Sequence, residues 1–233
     1  MRTLIIGAGE VGMALWHTLS PFYPIDIIDK YKKKDTTISS FDIIHICFPY
    51  FYKDPFDNFI EEVKAYKKRY AAKYVVIHST VPVGASRQAQ ALHSPVIGIH
   101  PHLQNSLKVF MKYIGGEQGG EVADYFRKAG MKVYLFDAQE TTETMKILDT
   151  TFYGLCVEYT KDVKRICKEL NIPFEAWTLW TDNYNSGYAE LGHTEFIRPN
   201  LTPIMKKIGG HCILPNCDFL ETKFTKFLKE LNL

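Results

Sequence analysis

The sequence predicts an α/β protein in which a doubly wound sheet is followed by a long central helix and a small helical domain. Short apolar, β-branched segments recur in the first half, at intervals that leave room for helices between them. A glycine-rich turn joins the first of these segments to a helical pattern. Residues 139–170 then carry apolar side chains at spacings of three and four, with no proline. We therefore expect one domain over residues 1–138 and a second over residues 139–233.

The composition is that of an ordinary globular protein and argues against several functional classes. Hydrophobic residues make up 46% of the 233 residues and charged residues 23%, which is enough apolar surface for a core. The net charge of +2 gives no reason to expect a nucleic-acid partner, and no apolar run approaches the roughly 18 residues of a membrane span. Five cysteines at irregular spacings do not suit a disulfide framework and predict a reducing, cytoplasmic location.

The chain opens with the successive elements of a dinucleotide-binding fold. Thr3–Ile6 is an apolar strand that runs directly into GAGEVG at residues 7–12, and a helical pattern follows until Pro21. A second strand, Ile25–Ile28, ends on Asp29. A strand, a GxGxxG turn, a helix, a second strand and a terminal acid, in that order, predict a Rossmann domain that binds a nicotinamide dinucleotide.

Each residue of this turn has a physical task. We expect Gly7 to allow the tight turn, Gly9 to admit a pyrophosphate close to backbone N–H groups, and Gly12 to let the helix pack on the strand. Asp29 would accept hydrogen bonds from both ribose hydroxyls and repel a 2′-phosphate, which favours NAD over NADP. Lys30 and the lysines after it could tolerate a 2′-phosphate, so the choice of cofactor stays open.

The remaining strands of the predicted sheet follow at α/β intervals, and the first of them is apolar enough to be buried on both faces. These strands are Phe41–Pro49, Tyr74–His78, Val96–His100 and Lys132–Phe136, with a helix over about residues 55–70. His45 and Cys47 lie inside the first of these strands. We expect both side chains to be structural.

Two segments at strand ends carry polar side chains. They are residues 78–84 and 98–103, and ligands of such sheets bind at the carboxyl ends of strands. In the second segment His100 and His102 flank a proline. Two histidines in that position are hard to explain as core residues, so His102 could polarise a substrate or transfer a proton.

The second half is dominated by one long helical pattern. It runs from about residue 139 to residue 170, and Asn171-Ile172-Pro173 ends it. Such a helix is longer than one small domain needs, so it predicts a spine against a second helical layer or against another subunit. Glu143, Lys146 and Thr150 share one of its faces, and periodicity alone favours an exposed stripe of ion pairs.

The rest of the second half combines helices with an aromatic-rich segment. Helical patterns cover about residues 174–188 and 218–231. Arg198 lies between them and is either an anion clamp or an ordinary surface arginine. Residues 208–217 hold two glycines, a histidine and two cysteines, which raises the question of a metal site or an active site.

Five segments of the chain match one known family in the same order. They are GAGEVG at residues 7–12, STVPVG at 79–84, IGG at 114–116, ETMK at 143–146 and IGGHCI at 208–213. Together they resemble the UDP-glucose/GDP-mannose dehydrogenase family of the 6-phosphogluconate dehydrogenase-like superfamily, and the likeness extends from Thr3 to about Leu220. That family oxidises a nucleotide-sugar alcohol to a carboxylate in two NAD-dependent steps.

The resemblance implies a role for several residues. Cys212 corresponds to the family's nucleophile, which forms a thiohemiacetal with an aldehyde. Lys146 corresponds to its catalytic lysine, which stabilises an oxyanion, and Thr80 would hold a water or the substrate hydroxyl. NAD is the implied cofactor. The family also forms dimers through the element that corresponds to residues 139–170, so a homodimer is expected.

The chain departs from the family's pattern at four points. Pro101-His102-Leu103 stands where the family has a glutamate in a PEF segment, Thr150 stands at an asparagine position and Asn216 at an aspartate position. The chain ends soon after the GGHCI loop, so we expect it to lack the family's C-terminal nucleotide-sugar-binding domain. The substrate is then an unidentified small alcohol, which could be a sugar derivative.

These considerations define the candidate site. The candidate catalytic residues are Lys146, Cys212, Thr80 and His102. The candidate cofactor-binding residues are Gly7, Gly9, Glu10, Val11, Gly12, Asp29, Pro49, Ser79 and Thr80. The candidate substrate-binding residues are His100, His102, Thr150, Arg198 and Asn216.

Three alternatives remain open at this point. Residues 98–102 also resemble prephenate dehydrogenases, which transfer a single hydride, and Cys212 would then be structural. A catalytically silent NAD-binding module, acting as a sensor or partner subunit, belongs to a different class. His211, Cys212 and Cys217 could bind zinc, but a fourth ligand at a suitable spacing is lacking, so we expect no metal.

Overall fold

The computed structural model describes residues 1–32, 35–50, 56–99, 101–210 and 212–232. Its contacts divide the chain into two units, Met1–Ile147 and Leu148–Leu233. The strands are β1 (Thr3–Ile6), β2 (Ile25–Ile28), β3 (Ile43–Ile46), β4 (Tyr74–Ile77), β5 (Leu92–His93), β6 (Lys112–Gly115) and β7 (Val133–Phe136). The α-helices are α1 (Glu10–Leu19), α2 (Phe56–Arg69), α3 (Ala85–Gln88), α4 (Leu103–Val109), α5 (Gly120–Lys128), α6 (Gln139–Glu169), α7 (Glu175–Glu190) and α8 (Lys223–Leu231).

The first unit is built on a seven-stranded sheet with the order β2-β1-β3-β4-β5-β6-β7. Neighbouring strands are parallel except for β5 and β6, which pair antiparallel. The doubly wound Rossmann class predicted from the sequence is thereby confirmed. The chain reverses its direction of winding between β1 and β3, and in such sheets this reversal opens a crevice at the carboxyl ends of the strands.

Alternate strand residues face opposite sides of the sheet, and each side carries its own helices. Ile5 and Val76 pack in a core with α1 and α5, whereas Leu4 and Ile77 pack in a second core with α2. All four side chains are wholly buried, and full burial of such a side chain contributes about 1.5–3 kcal/mol. The two cores hold the strand ends, and therefore the loops at those ends, in fixed positions.

The strand predicted over residues 96–100 is not present in the described part of that segment. The strand in this place is the earlier β5, and residues 96–99 form a loop against α4. Pro95 lacks the N–H that a ladder requires, and Gly98 has a φ of 155°. An ideal Cβ on Gly98 would lie 2.4 Å from the Cβ of Ser106, so the loop packs directly on α4. His100 lies outside the described residues.

The helix predicted over residues 139–170 is confirmed as α6, which has 31 residues. In the second unit α8 packs on it at Gly154, where an added Cβ would lie 2.5 Å from Leu228 Cδ2. α8 begins later than predicted because Thr222 caps it, accepting a 3.1 Å hydrogen bond from the Thr225 N–H. The small core of this unit consists of Ile208, Cys217 and Leu228. Within the described ranges, every helix is too short or too polar to cross a membrane.

Candidate functional site

The turn between β1 and α1 has the geometry of a phosphate loop. Gly7 has a φ of 104°, and an ideal Cβ there would lie 2.9 Å from the backbone nitrogen of Phe48. An ideal Cβ on Gly12 would lie 1.9 Å from the carbonyl oxygen of Gly7, so no side chain fits at that position. Gly9, the N-cap of α1, has open space around its Cβ direction. Gly7 and Gly12 are thus required by close backbone contacts, whereas Gly9 leaves the room that a pyrophosphate would need.

The first turn of α1 completes this loop. Glu10 is exposed and Val11 is half-buried, next to the exposed Gly9. The N-terminal N–H groups of a helix have no intrahelical partners and carry a partial positive charge. The residues predicted to bind the cofactor's phosphates thus surround an accessible helix N-terminus.

Asp29 follows β2 and reaches back to the phosphate loop. Its Oδ2 accepts a 2.6 Å hydrogen bond from the Ala8 N–H. Its Oδ1 accepts hydrogen bonds from the Tyr31 N–H at 2.9 Å and the Lys32 N–H at 2.8 Å. Burial raises the pKa of Asp29, but these three backbone hydrogen bonds and the charge of Lys32 outweigh it, so the pKa lies below its usual value. A carboxylate is therefore fixed beside the loop at the end of β2.

The loops after β1, β3 and β4 lie together at one edge of the sheet. Gly7 lies against the loop after β3, as the short distance to Phe48 indicates. The Ser79 hydroxyl, after β4, donates a hydrogen bond to the Phe48 carbonyl. Pro49 is exposed beside this contact and Thr80 is half-buried. The predicted cofactor-binding segments from three strands are thereby brought to the same crevice.

Glu143 anchors the loop after β4 to the start of α6. Its carboxylate is wholly buried and accepts hydrogen bonds from the Gly84 N–H at 2.6 Å and the Ser86 N–H at 2.8 Å. Burial raises the pKa of Glu143, while those hydrogen bonds lower it in part. The exposed stripe of ion pairs favoured by periodicity is wrong for this residue. Lys146, one turn later, is half-buried.

His93 provides a second link between the same elements. Its Nε2 lies 3.2 Å from the Ser79 carbonyl oxygen and its Nδ1 lies 2.8 Å from the Thr142 hydroxyl. Burial lowers the pKa of His93 to about 3, which keeps the ring neutral. The sequence offers no signal for this role of His93, which lies just before the apolar run of residues 96–99.

A buried lysine lies at the start of β6. The Lys112 side chain is almost wholly buried, and its Nζ donates to the carbonyl oxygens of Ser94 at 2.6 Å and Pro95 at 3.1 Å. The same Nζ lies 3.1 Å from Nδ1 of His78. Burial lowers the pKa of Lys112 to about 7. The sequence pattern gave no signal for this arrangement.

The histidine beside Lys112 begins a buried polar chain that continues across the sheet. His78 Nε2 lies 2.9 Å from His45 Nδ1, and His45 Nε2 lies 3.3 Å from the Tyr125 hydroxyl. That hydroxyl lies 3.0 Å from the Thr3 hydroxyl. Burial, together with the charge of Lys112, lowers the pKa of His45 to about 3. His45 is thus a satisfied core histidine, as expected.

His102 is the N-cap residue of α4. Its carbonyl accepts hydrogen bonds from the Ser106 N–H at 3.1 Å and the Ser106 hydroxyl at 3.0 Å, and its side chain is exposed. The backbone of His102 therefore has a structural role in addition to any role of the imidazole. His100, the other candidate histidine of this segment, lies outside the described residues.

In the second unit two departures from the family pattern contact each other. The Asn216 side-chain amide, which is buried, donates to the Thr150 hydroxyl at 3.3 Å and to the carbonyl of Cys212. Cys212 is exposed. Asn216 therefore orients the loop that carries the candidate nucleophile and joins it to a hydroxyl of α6.

Cys217, the other cysteine of this loop, lies in the core of the second unit. Cys217 is buried, its sulfur lies 3.9 Å from the Thr151 hydroxyl, and burial raises its pKa. Among the described residues, which omit His211, no three metal-binding side chains come together. Cys217 is therefore a core residue of the second unit.

Arg198 is held in a defined orientation. Its guanidinium lies 3.7 Å from the centre of the Tyr184 ring, a cation–π contact. Its backbone N–H and carbonyl each form a 2.9 Å hydrogen bond with the Asn185 side chain. This preorganisation is consistent with either interpretation of Arg198, the anion clamp or the surface arginine.

Comparison with solved structures identifies dehydrogenases with the same fold. The UDP-D-ManNAc dehydrogenase of Pyrococcus horikoshii has a TM-score of 0.75 at 16% identity, over 100% of this chain and 68% of its own. A UDP-glucose dehydrogenase from Pyrobaculum islandicum has a TM-score of 0.74 at 13% identity, over 99% and 67%. The 3-hydroxyisobutyrate dehydrogenase of Mycobacterium tuberculosis has a TM-score of 0.71 at 11% identity, over 98% and 91%.

These likenesses establish the fold that the family resemblance implied. The chain spans about two thirds of the UDP-sugar dehydrogenase chains and most of the hydroxyisobutyrate dehydrogenase chain. No protein-family model matches the sequence. The search of curated proteins also returns no match. Activity and substrate are therefore a matter for proposal.

Proposed function

We propose that the protein is an NAD-dependent dehydrogenase that oxidises a CH–OH group of a small molecule. The phosphate loop carries this proposal: Gly9 leaves open space at the N-terminus of α1, and Asp29 is fixed beside it. That arrangement fits a pyrophosphate and an adjoining ribose. When bound, the nicotinamide would accept the hydride that leaves the substrate carbon.

Lys146 and Thr80 are the residues proposed to act on the substrate oxygen. The ammonium of Lys146 would stabilise the negative charge that develops as the alcohol passes its proton to solvent. The Thr80 hydroxyl hydrogen-bonds the same oxygen or a water. Glu143 supports this assignment because it ties the loop containing Thr80 to the helix that carries Lys146.

Cys212 is proposed as the nucleophile of a second oxidation. Its thiolate would add to the aldehyde carbon to form a hemithioacetal, and a second NAD, when bound, would supply the hydride acceptor that turns this adduct into a thioester. Hydrolysis of the thioester by water would release a carboxylate, a proton and the thiol. The exposure of Cys212 and the anchoring of its loop by Asn216 support this role. Asn216 cannot serve as a base, so the water must lose its proton to another group or to solvent.

A second candidate function is a single oxidation of a hydroxy acid. The fold match to a 3-hydroxyisobutyrate dehydrogenase over 91% of that chain favours it. In this case Lys146 has the same role and Cys212 has none in the chemistry. His102 is then the candidate for proton transfer.

The two candidates differ in the amount of NADH formed per substrate. We would incubate the protein with NAD and a panel of small alcohols, sugar alcohols and hydroxy acids, and follow the near-ultraviolet absorbance of the reduced cofactor. Cys167, a free and partly buried cysteine of α6, provides the control. Two NADH per substrate, falling to one in Cys212→Ser but not in Cys167→Ser, would support the two-step reaction. One NADH per substrate in the wild type and in both variants would support the single oxidation instead. Cofactor binding without turnover of any substrate would leave only a binding module.

We also propose a homodimer that uses the helix of residues 139–170. Phe152, Tyr153 and Tyr159 of α6 are each more than half exposed, and burial of such side chains drives association. Light scattering at micromolar concentration should give twice the chain mass. Replacement of Phe152 by Ser should shift the species to a monomer, and a wild-type monomer would contradict the proposal.

A further inference from the structure

The adenosine end of the proposed cofactor site combines one acid with lysines. We infer that this site accepts a 2′-phosphate as well as free ribose hydroxyls, with Lys32 as the residue that binds the phosphate. The inference rests on the proposed dinucleotide site, and it changes the expected ligand from NAD alone to both NAD and NADP.

The first argument is the limited capacity of Asp29 to accept hydrogen bonds. A carboxylate has about four acceptor positions, two on each oxygen. Oδ1 already accepts two N–H groups, from Tyr31 and Lys32, and Oδ2 accepts one from Ala8. One acceptor position is left for a ribose hydroxyl. The two-hydroxyl recognition that the sequence predicted for Asp29 is therefore not available without loss of a loop hydrogen bond.

The second argument is the position of the Lys32 ammonium. It donates a hydrogen bond to the carbonyl of Ala8, and the N–H of the same Ala8 donates to Oδ2 of Asp29. The Lys32 ammonium and the Asp29 carboxylate are thus hydrogen-bonded to the carbonyl and to the N–H of the same residue, Ala8. An ammonium carries three donors, and one of them is used at Ala8. A phosphate on the ribose 2′-oxygen would meet this cation as well as the carboxylate.

The third argument is the balance of charge around the ribose position. Residues 26–35 hold four lysines against three aspartates, and Lys30 and Lys32 are both exposed in the loop after β2. An acid alone would repel a 2′-phosphate, and the excess of positive charge offsets this repulsion.

Binding of the two reduced dinucleotides to the wild type tests the inference without any substrate. Calorimetric titration with NADH and NADPH should give dissociation constants within about tenfold of each other. The smaller probe 2′,5′-ADP should compete with both. The affinity for NADPH should fall more steeply with salt than the affinity for NADH, because the 2′-phosphate contact is electrostatic and exposed.

Three variants assign the contact to Lys32. Lys32→Ala should weaken NADPH about tenfold or more, since a charge-assisted hydrogen bond is lost, and should change NADH by less than about threefold. Lys32→Arg should retain NADPH binding. Lys64→Ala removes an exposed lysine of α2 that pairs with Glu61 and should leave both affinities unchanged.

Several outcomes would overturn the inference. A dissociation constant for NADPH more than about a hundredfold above that for NADH would mean that Asp29 alone determines which cofactor binds. An equal loss of both dinucleotides in Lys32→Ala would mean that Lys32 only fixes the phosphate loop through Ala8. If neither dinucleotide binds the wild type, the proposed function itself fails, and this result is distinct from the first two. Thermal unfolding of each variant checks that it is folded.

Discussion

Lys112 makes the stability of the first unit depend on pH in a direction that can be calculated. Its amine is almost wholly buried, and burial lowers its pKa to about 7, against about 10.4 in an unfolded chain. Below pH 7 the amine is charged in both states, and the full cost of burying the charge is present. Between the two pKa values the unfolded chain binds one more proton than the folded protein, so stability rises with pH.

The size of this effect follows from the linkage relation. One proton difference is equivalent to about 1.4 kcal/mol per pH unit. From about pH 6.5 to about pH 8.5 the free energy of unfolding should therefore gain about 2 kcal/mol from this residue alone. Lys112→Met keeps the length of the side chain and removes the titration, so the gain should disappear. At the acid end the variant should be no less stable than the wild type, because burial of the ammonium is costly even with two carbonyl acceptors.

Urea denaturation followed by circular dichroism at several pH values measures the effect. The quantity of interest is the difference between wild type and Lys112→Met, in which other titrating groups largely cancel. Lys132→Met is the matched control, since that exposed lysine also donates to a carbonyl, of Val109. Parallel stability curves for wild type and Lys112→Met over this pH range would refute the reasoning.

Three further perturbations have expected outcomes. Asp29→Ala should weaken NADH binding several-fold and raise the affinity for NADPH relative to NADH; an unchanged ratio in calorimetry would mean that Asp29 does not meet the ribose. Glu143→Ala should lower the free energy of unfolding by about 2 kcal/mol or more and speed proteolysis of the loop over residues 79–84, because two N–H groups lose their acceptor. Glu143→Gln, which keeps one acceptor oxygen, should lose less, and equal losses would contradict the anchoring role. Asn216→Leu should free the loop that carries Cys212 and raise the rate of its alkylation; an unchanged rate would mean that the amide does not restrain it.

Local features of the fold were predictable, and long-range contacts were not. The turn over residues 7–12 was predicted because each glycine's task is set by its immediate neighbours. The contact between Thr150 and Asn216 joins positions that are 66 residues apart, and no pattern in the sequence pairs them. The strand expected over residues 96–100 is not present in the described residues 96–99, because Pro95 lacks the N–H of a ladder and Gly98 packs directly on α4.

The acid at Glu143 illustrates the same limit in the long helix. Helical periodicity gives the face on which a residue lies and says nothing about what covers that face. An ion pair with a neighbour on the helix was the simplest expectation, and the actual partners are two N–H groups 57 and 59 residues away. The candidate site could therefore be located by its loops, while the groups that hold those loops had to be seen in three dimensions.

The unlike surroundings of Gly9 and Gly12 have a consequence for the substitutions that each position can accept in evolution or in a mutant library. Position 12 touches the backbone of Gly7, so any larger residue is rejected by the fold itself, with or without a ligand. Position 9 faces open space, so alanine there should yield a folded chain and be rejected only by selection for cofactor binding. A library screened first for soluble expression and then for retention on an immobilised dinucleotide should lose variants of position 12 at the first stage and variants of position 9 at the second. The two glycines of one motif thereby record two separate selective pressures.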